Sequence, residues 1–233
     1  MKHLQRNILI FAILFAAFVL GPPLLNQPFA AYPLMTTADV LDLFTPLVLI
    51  PMYWLLFRID EDKPARQNEV IVFLILAALW VEGQGMHLAG NSIGHLTEAL
   101  PGTTVAGLTH FYDEVLSHYM WHGAMLGLAA LLIFRQWNHP FGTPAPSIGT
   151  EIGAGILHGI NYALMVLEGA TTAIGVPFAV LAVAFILVWG RKGLRRQPLL
   201  TFFLVALGVA LLLFLGWGLY WGGLVEPSAV GLI

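Results

Sequence analysis

The sequence predicts an all-α fold, a polytopic membrane helical bundle of seven transmembrane helices forming one integral-membrane domain over residues 1–233. Three observations predict it. The chain is 58% hydrophobic and only 10% charged, whereas soluble domains carry about 25% charged residues. Seven segments reach the roughly 20 apolar residues that a bilayer crossing needs. All ten Lys and Arg residues fall before the first segment or in alternate connections after it, as an up-and-down path through a membrane requires.

The segments lie near 7–25, 37–57, 69–95, 106–134, 149–168, 171–190 and 199–222. The first follows Met1-Lys2-His3-Leu4-Gln5-Arg6. Its apolar run outlasts the core of a signal peptide, and Gly21-Pro22-Pro23 follows it in place of a cleavage site, so an uncleaved anchor is expected. The second carries Asp39 and Asp42 near its start, with Pro46 and Pro51 as kinks. The third and fourth are the longest and the most polar. The fifth is rich in glycine (Gly153, Gly155, Gly159), which permits close helix approach. The sixth contains Pro177, and the seventh ends in Trp217, Tyr220 and Trp221, an aromatic belt.

Charge sets the orientation. Lys2 and Arg6 precede the first helix, and Arg58, Lys63 and Arg66 follow the second. Arg135 follows the fourth helix, and Arg191, Lys192, Arg195 and Arg196 follow the sixth. The positive-inside rule then gives a cytoplasmic N-terminus, an external C-terminus and a multi-pass protein of a plasma or inner membrane. No basic cluster points to nucleic acid. With no cysteine in the chain, disulfides, thiolate metal sites and cysteine nucleophiles are excluded.

Ionisable residues inside a bilayer cost roughly 2.5–3.5 kcal/mol each, so those present should be used. The third helix holds Glu82, His87, Asn91 and His95, with Gln84 and Glu98 near the same stripe. The fourth holds His110, Asp113, Glu114, His118 and His122, and the fifth His158, Asn161, Tyr162 and Glu168. By the orientation above, these groups converge on the outer half of the membrane.

Residues four apart share a helix face, which makes one row of His87, Asn91 and His95 and another of His110, Glu114, His118 and His122. A His-x-x-x-His pair gives a metal two ligands from one rigid element. The expected metal ligands are His87, His95, His118, His122 and His158, with Asn91, His110 and Tyr162 in support. Zinc is the expected ion, and iron or copper the alternatives; Met86, Met120, Met125 and Met165 keep copper open. Glu82, Asp113 and Glu114 are the candidate proton acceptors. On an ideal helix Glu82 points away from the histidine row, unless Gly83 and Gly85 distort the helix.

The expected function is a membrane-embedded metal-dependent enzyme hydrolysing a lipid-like or other apolar substrate. A di-iron or copper oxygenase is the second reading, metal-ion or proton transport a third, and bis-histidine haem through His122 and His158 a fourth. The inner halves of the helices carry almost no polar residues, which speaks against a through-path.

Seven helices with buried histidines, a buried aspartate and His118-x-x-x-His122 resemble the membrane zinc hydrolases of the alkaline ceramidase and adiponectin receptor superfamily. In that group three histidines hold a zinc that hydrolyses a lipid amide. The resemblance is one of chemistry only. Its members take their histidine pair from the last helix and keep the metal toward the cytoplasm, whereas here the seventh helix has no histidine.

Overall fold

The computed structural model describes residues 2–25, 27–29, 32–58, 64–97 and 99–232. Lys63 and Glu98 lie outside this set. Among the described residues the fold is all-α apart from a short antiparallel strand pair, Pro28–Phe29 against Tyr32–Thr36, which the sequence did not suggest. The helices are α1 Lys2–Leu20, α2 Thr37–Phe57, α3 Gln67–Thr97, α4 Thr104–Asn138, α5 Gly149–Glu168, α6 Thr172–Gly190 and α7 Pro198–Trp221.

Six of them, all but α5, are long and apolar enough to cross a membrane. Their outward faces carry large apolar side chains such as Ile75, Leu181, Val188, Leu212 and Leu215, each at least 60% exposed. Soluble monomers rarely expose such continuous apolar surface. The helix α5 is more polar because it is interior, packed between α1 and α7. Its glycines make that possible. A Cβ on Gly155 would come within 2.9 Å of the Phe202 carbonyl oxygen, and one on Gly159 would collide with the Ala206 carbonyl.

Helix ends follow local chemistry. The expected first segment, 7–25, begins earlier and stops earlier, at Leu20, because Pro22 and Pro23 cannot continue it; a short 3₁₀ turn, Pro22–Leu24, follows. A capping box opens α2: Thr36 Oγ1 accepts from the Asp39 N–H, and Asp39 Oδ2 accepts from the Thr36 N–H at 2.6 Å. The rod α4 is not a regular helix. Residues Phe111–Leu116 form one π-helical turn between the α-helical stretches Thr104–His110 and Ser117–Asn138.

The basic connections gather at one end of the bundle. There Arg135 Nη1 donates to Glu69 Oε2 at 2.7 Å and its Nε donates to the Phe57 carbonyl at 2.6 Å. The Phe141 and Ala145 amides donate to the carbonyls of Arg196 and Arg195, and Gln5 Nε2 donates to Glu151 Oε1 and the Ser147 carbonyl. His87, His95, His110, His118 and His122 lie toward the opposite end.

Candidate functional site

A cavity of about 370 Å³ opens at the end away from the basic connections. It is bounded by α2, α3, α4 and the end of α5, and its polar wall includes Asp42, Gln84, His87, Glu114, His118 and His122. From Gln84 to His95 it follows α3 for about 16 Å at 1.5 Å per residue, half of a ~30 Å hydrocarbon core. Trp121, on the wall, stacks on the fully buried Trp80, which meets Tyr53 edge-on; these rings lie between the cavity and the basic end. A second cavity of about 390 Å³ adjoins it and shares Asn91, His95 and Glu114.

The π turn decides which acidic residue is buried beside His87. Asp113 is buried, while Glu114 is about half exposed at the rim, its Oε2 3.8 Å from His118 Nδ1. Asp113 Oδ1 lies 2.8 Å from His87 Nδ1. Ser117 N–H bonds back to the Tyr112 carbonyl, as a π turn requires, and the Ser117 hydroxyl donates to the Asp113 carbonyl. Gly90 admits this turn: a Cβ there would stand 2.8 Å from Asp113 Cβ and 2.9 Å from its Cα.

Three imidazoles follow one another along the wall. Ring centroids of His87 and His118 are 4.9 Å apart, and those of His118 and His122 are 5.5 Å apart. His122 is anchored from behind. Its Nδ1 is 2.6 Å from Thr171 Oγ1, and that hydroxyl donates to the Val166 carbonyl at 3.5 Å. In the tautomer protonated at Nδ1 the ring donates to this hydroxyl and Nε2 keeps a bare lone pair. That Nε2 is buried and has no hydrogen-bond partner among the described residues. The turn that brings Thr171 there includes Ala170 at φ +50°, a left-handed conformation that costs a non-glycine residue energy.

Two imidazoles sharing a tetrahedral zinc, with Zn–N of about 2.0–2.1 Å, hold their centroids about 5 Å apart. The spacing fits; the ring orientations do not. His118 and His122 stack with planes 6° apart, so their lone pairs run side by side instead of meeting at one point. Among the described residues no three His, Asp or Glu side chains are grouped to hold a metal ion.

The sequence-derived candidates divide into two sets. His87, Asn91, His95, Glu114, His118 and His122 line the first cavity, and His110 and Asp113 line the second. Asn91 donates to Asp39 Oδ1 at 2.7 Å, tying α3 to α2. His158 is not brought to this site. It is packed among Phe11, Phe15 and Phe202, with centroids 5.4, 4.4 and 5.1 Å away, on the α5 face that meets α1 and α7. Tyr162 also lies apart, donating to the Gly175 carbonyl at 2.7 Å. Glu82 is exposed on the outer surface of α3, because α3 stays regular through Gly83 and Gly85. Gly83 is instead a crossing point, where a Cβ would be 2.8 Å from the Trp121 nitrogen.

Sequence reasoning passed over Thr171 and Trp121. Trp121 precedes a histidine on a helix that was already singled out, so it had a signal; Thr171 had none. No family model matches the chain, and neither does any curated protein or solved structure.

Proposed function

We propose that this protein is an integral-membrane enzyme whose His87–His118–His122 cavity binds a metal ion, zinc in the simplest case, and acts on a lipid-like substrate. The observation that carries the reading is His122: a buried imidazole on the cavity wall, with its Nδ1 held by Thr171 and its Nε2 unpartnered. A hydrogen bond on one ring nitrogen is how metal-ligating histidines are oriented. Rotation of the His118 ring out of its stack would let the neighbouring imidazoles converge, since their spacing already suits a shared ion.

When bound, zinc supplies Lewis acidity, polarising a carbonyl and acidifying water. The chain's own part is to position groups around the substrate. Asp113 orients His87 and holds a proton at its Nδ1; Glu114, at the rim between the two cavities, is placed to accept a proton from an incoming group. The tryptophan and tyrosine rings toward the basic end give the site a closed floor, which favours chemistry over conduction. We place the N-terminus and the basic end in the cytoplasm, so that substrate enters from the outer half of the bilayer.

Metal content measured by plasma mass spectrometry, on protein purified in detergent without chelator or polyhistidine tag, tests this. About one zinc per chain is expected, lost in His122→Ala. Iron or copper would move the reading to redox chemistry, and a metal-free protein that stays folded would overturn it.

A further inference from the structure

The middle residue of α3 is a carboxylate that faces outward. Glu82 stands fifteen residues from either end of Gln67–Thr97, is exposed, and makes no hydrogen bond or ion pair among the described residues. Bare contact with lipid at that depth costs roughly 2.5–3.5 kcal/mol even on the lenient insertion scale. Something polar must therefore cover it.

Its neighbours on the same face define the cover. Ile75, Ala78, Glu82, Gly85, Ala89, Ser92 and Leu96 succeed one another at alternating steps of three and four. All are exposed except Ser92, which is half-buried. Such a step pattern is the seam of a left-handed helix pair. Four of the seven residues are small, which lets two backbones approach closely in a membrane. The monomer does not explain Gly85: a Cβ there would meet nothing within 4 Å.

We infer that α3 pairs with α3 of a second copy of this chain, in parallel across a two-fold axis near Glu82. The seam is self-complementary. A two-fold axis sets Glu82 against Glu82, and a protonated carboxyl is both donor and acceptor, so the pair satisfies itself without a basic partner. Ser92 meets its own counterpart in the same way, and the small residues between them remove the steric barrier. The proposal does not depend on the function of the cavity, which lies on the other side of α3.

The cysteine-free chain gives a clean test. Single variants Gly85→Cys, Ala89→Cys and, as a control on α6, Leu181→Cys are oxidised in native membranes and the dimer fraction is read on gels. Gly85→Cys and Ala89→Cys should crosslink at least ten-fold more than Leu181→Cys. Adding Glu82→Leu to Gly85→Cys should reduce that yield several-fold, and adding Glu82→Gln, which keeps a donor and an acceptor, should preserve it. Equal yields at 85 and 181 would overturn the pairing and leave lipid or a different protein as the cover. Yields indifferent to Glu82→Leu would overturn the role of the carboxylate.

Discussion

His87 and Asp113 are held together, 2.8 Å apart, by an irregularity: one π turn in α4 set against a glycine in α3. The turn gives α4 a residue more than its α-helical path needs, and so delivers Asp113, not Glu114, to the histidine. Single π turns inside α-helices occur frequently at functional sites. Gly90 is the matching half, since any side chain there meets the backbone of the turn.

Gly90→Ala is therefore expected to destabilise the protein by about 1–3 kcal/mol, the range for an overpacked contact. Gly208→Ala is the comparison, because the added methyl has open space and alanine favours the helix by up to about 1 kcal/mol. Thermal unfolding in detergent should lower the melting temperature for Gly90→Ala and leave it unchanged or raised for Gly208→Ala. Equal behaviour of the two would mean that the α3–α4 contact yields easily.

At the opposite end, Arg135 is almost wholly buried, with Glu69, the Phe57 carbonyl and the Phe57 ring around it. Removing one member of such a pair strands the other charge. Arg135→Met should cost about 3–5 kcal/mol, whereas the double variant Arg135→Met with Glu69→Leu should recover much of the loss. Unfolding of the single and double variants measures this. No recovery in the double variant would show that the guanidinium matters through its remaining contacts and not through the pair.

The all-α character was legible because long helices are read from length and apolarity, and six of the helices are long and apolar enough to cross a membrane. Helix α2 starts and ends where its sequence said it would. The candidate site was legible only in part, for local reasons. The His110–Glu114–His118–His122 row assumed 3.6 residues per turn throughout; Glu114 stays 3.8 Å from His118, but the π turn makes Asp113 the buried carboxylate, beside His87. Glu82 behaved as an ideal helix dictates, pointing away from the histidines. His158 could not be placed in advance. Periodicity says which residues share a face of α5, but not that the face of His158 would turn to the phenylalanines of α1 and α7. Thr171 was invisible because its role depends on a turn at Ala170 that no motif announces.

That turn supports the last expectation. Thr171 is fully buried, and its hydroxyl is the only partner recorded for His122 Nδ1 among the described residues. Thr171→Val keeps the shape and removes the oxygen, which leaves a buried ring nitrogen unpaired at a cost of about 1–3 kcal/mol. It also frees the imidazole to place its proton on either nitrogen. If Nε2 serves a metal, loss of the partner behind it should weaken zinc binding about 10–100-fold, as removal of such outer-shell partners does. Thr171→Ser keeps the hydroxyl and should restore both properties. Competition with a fluorescent chelator reads the affinity, and thermal unfolding reads the stability. A Thr171→Val protein with reduced stability and unchanged zinc affinity would separate the two roles and remove His122 from the metal.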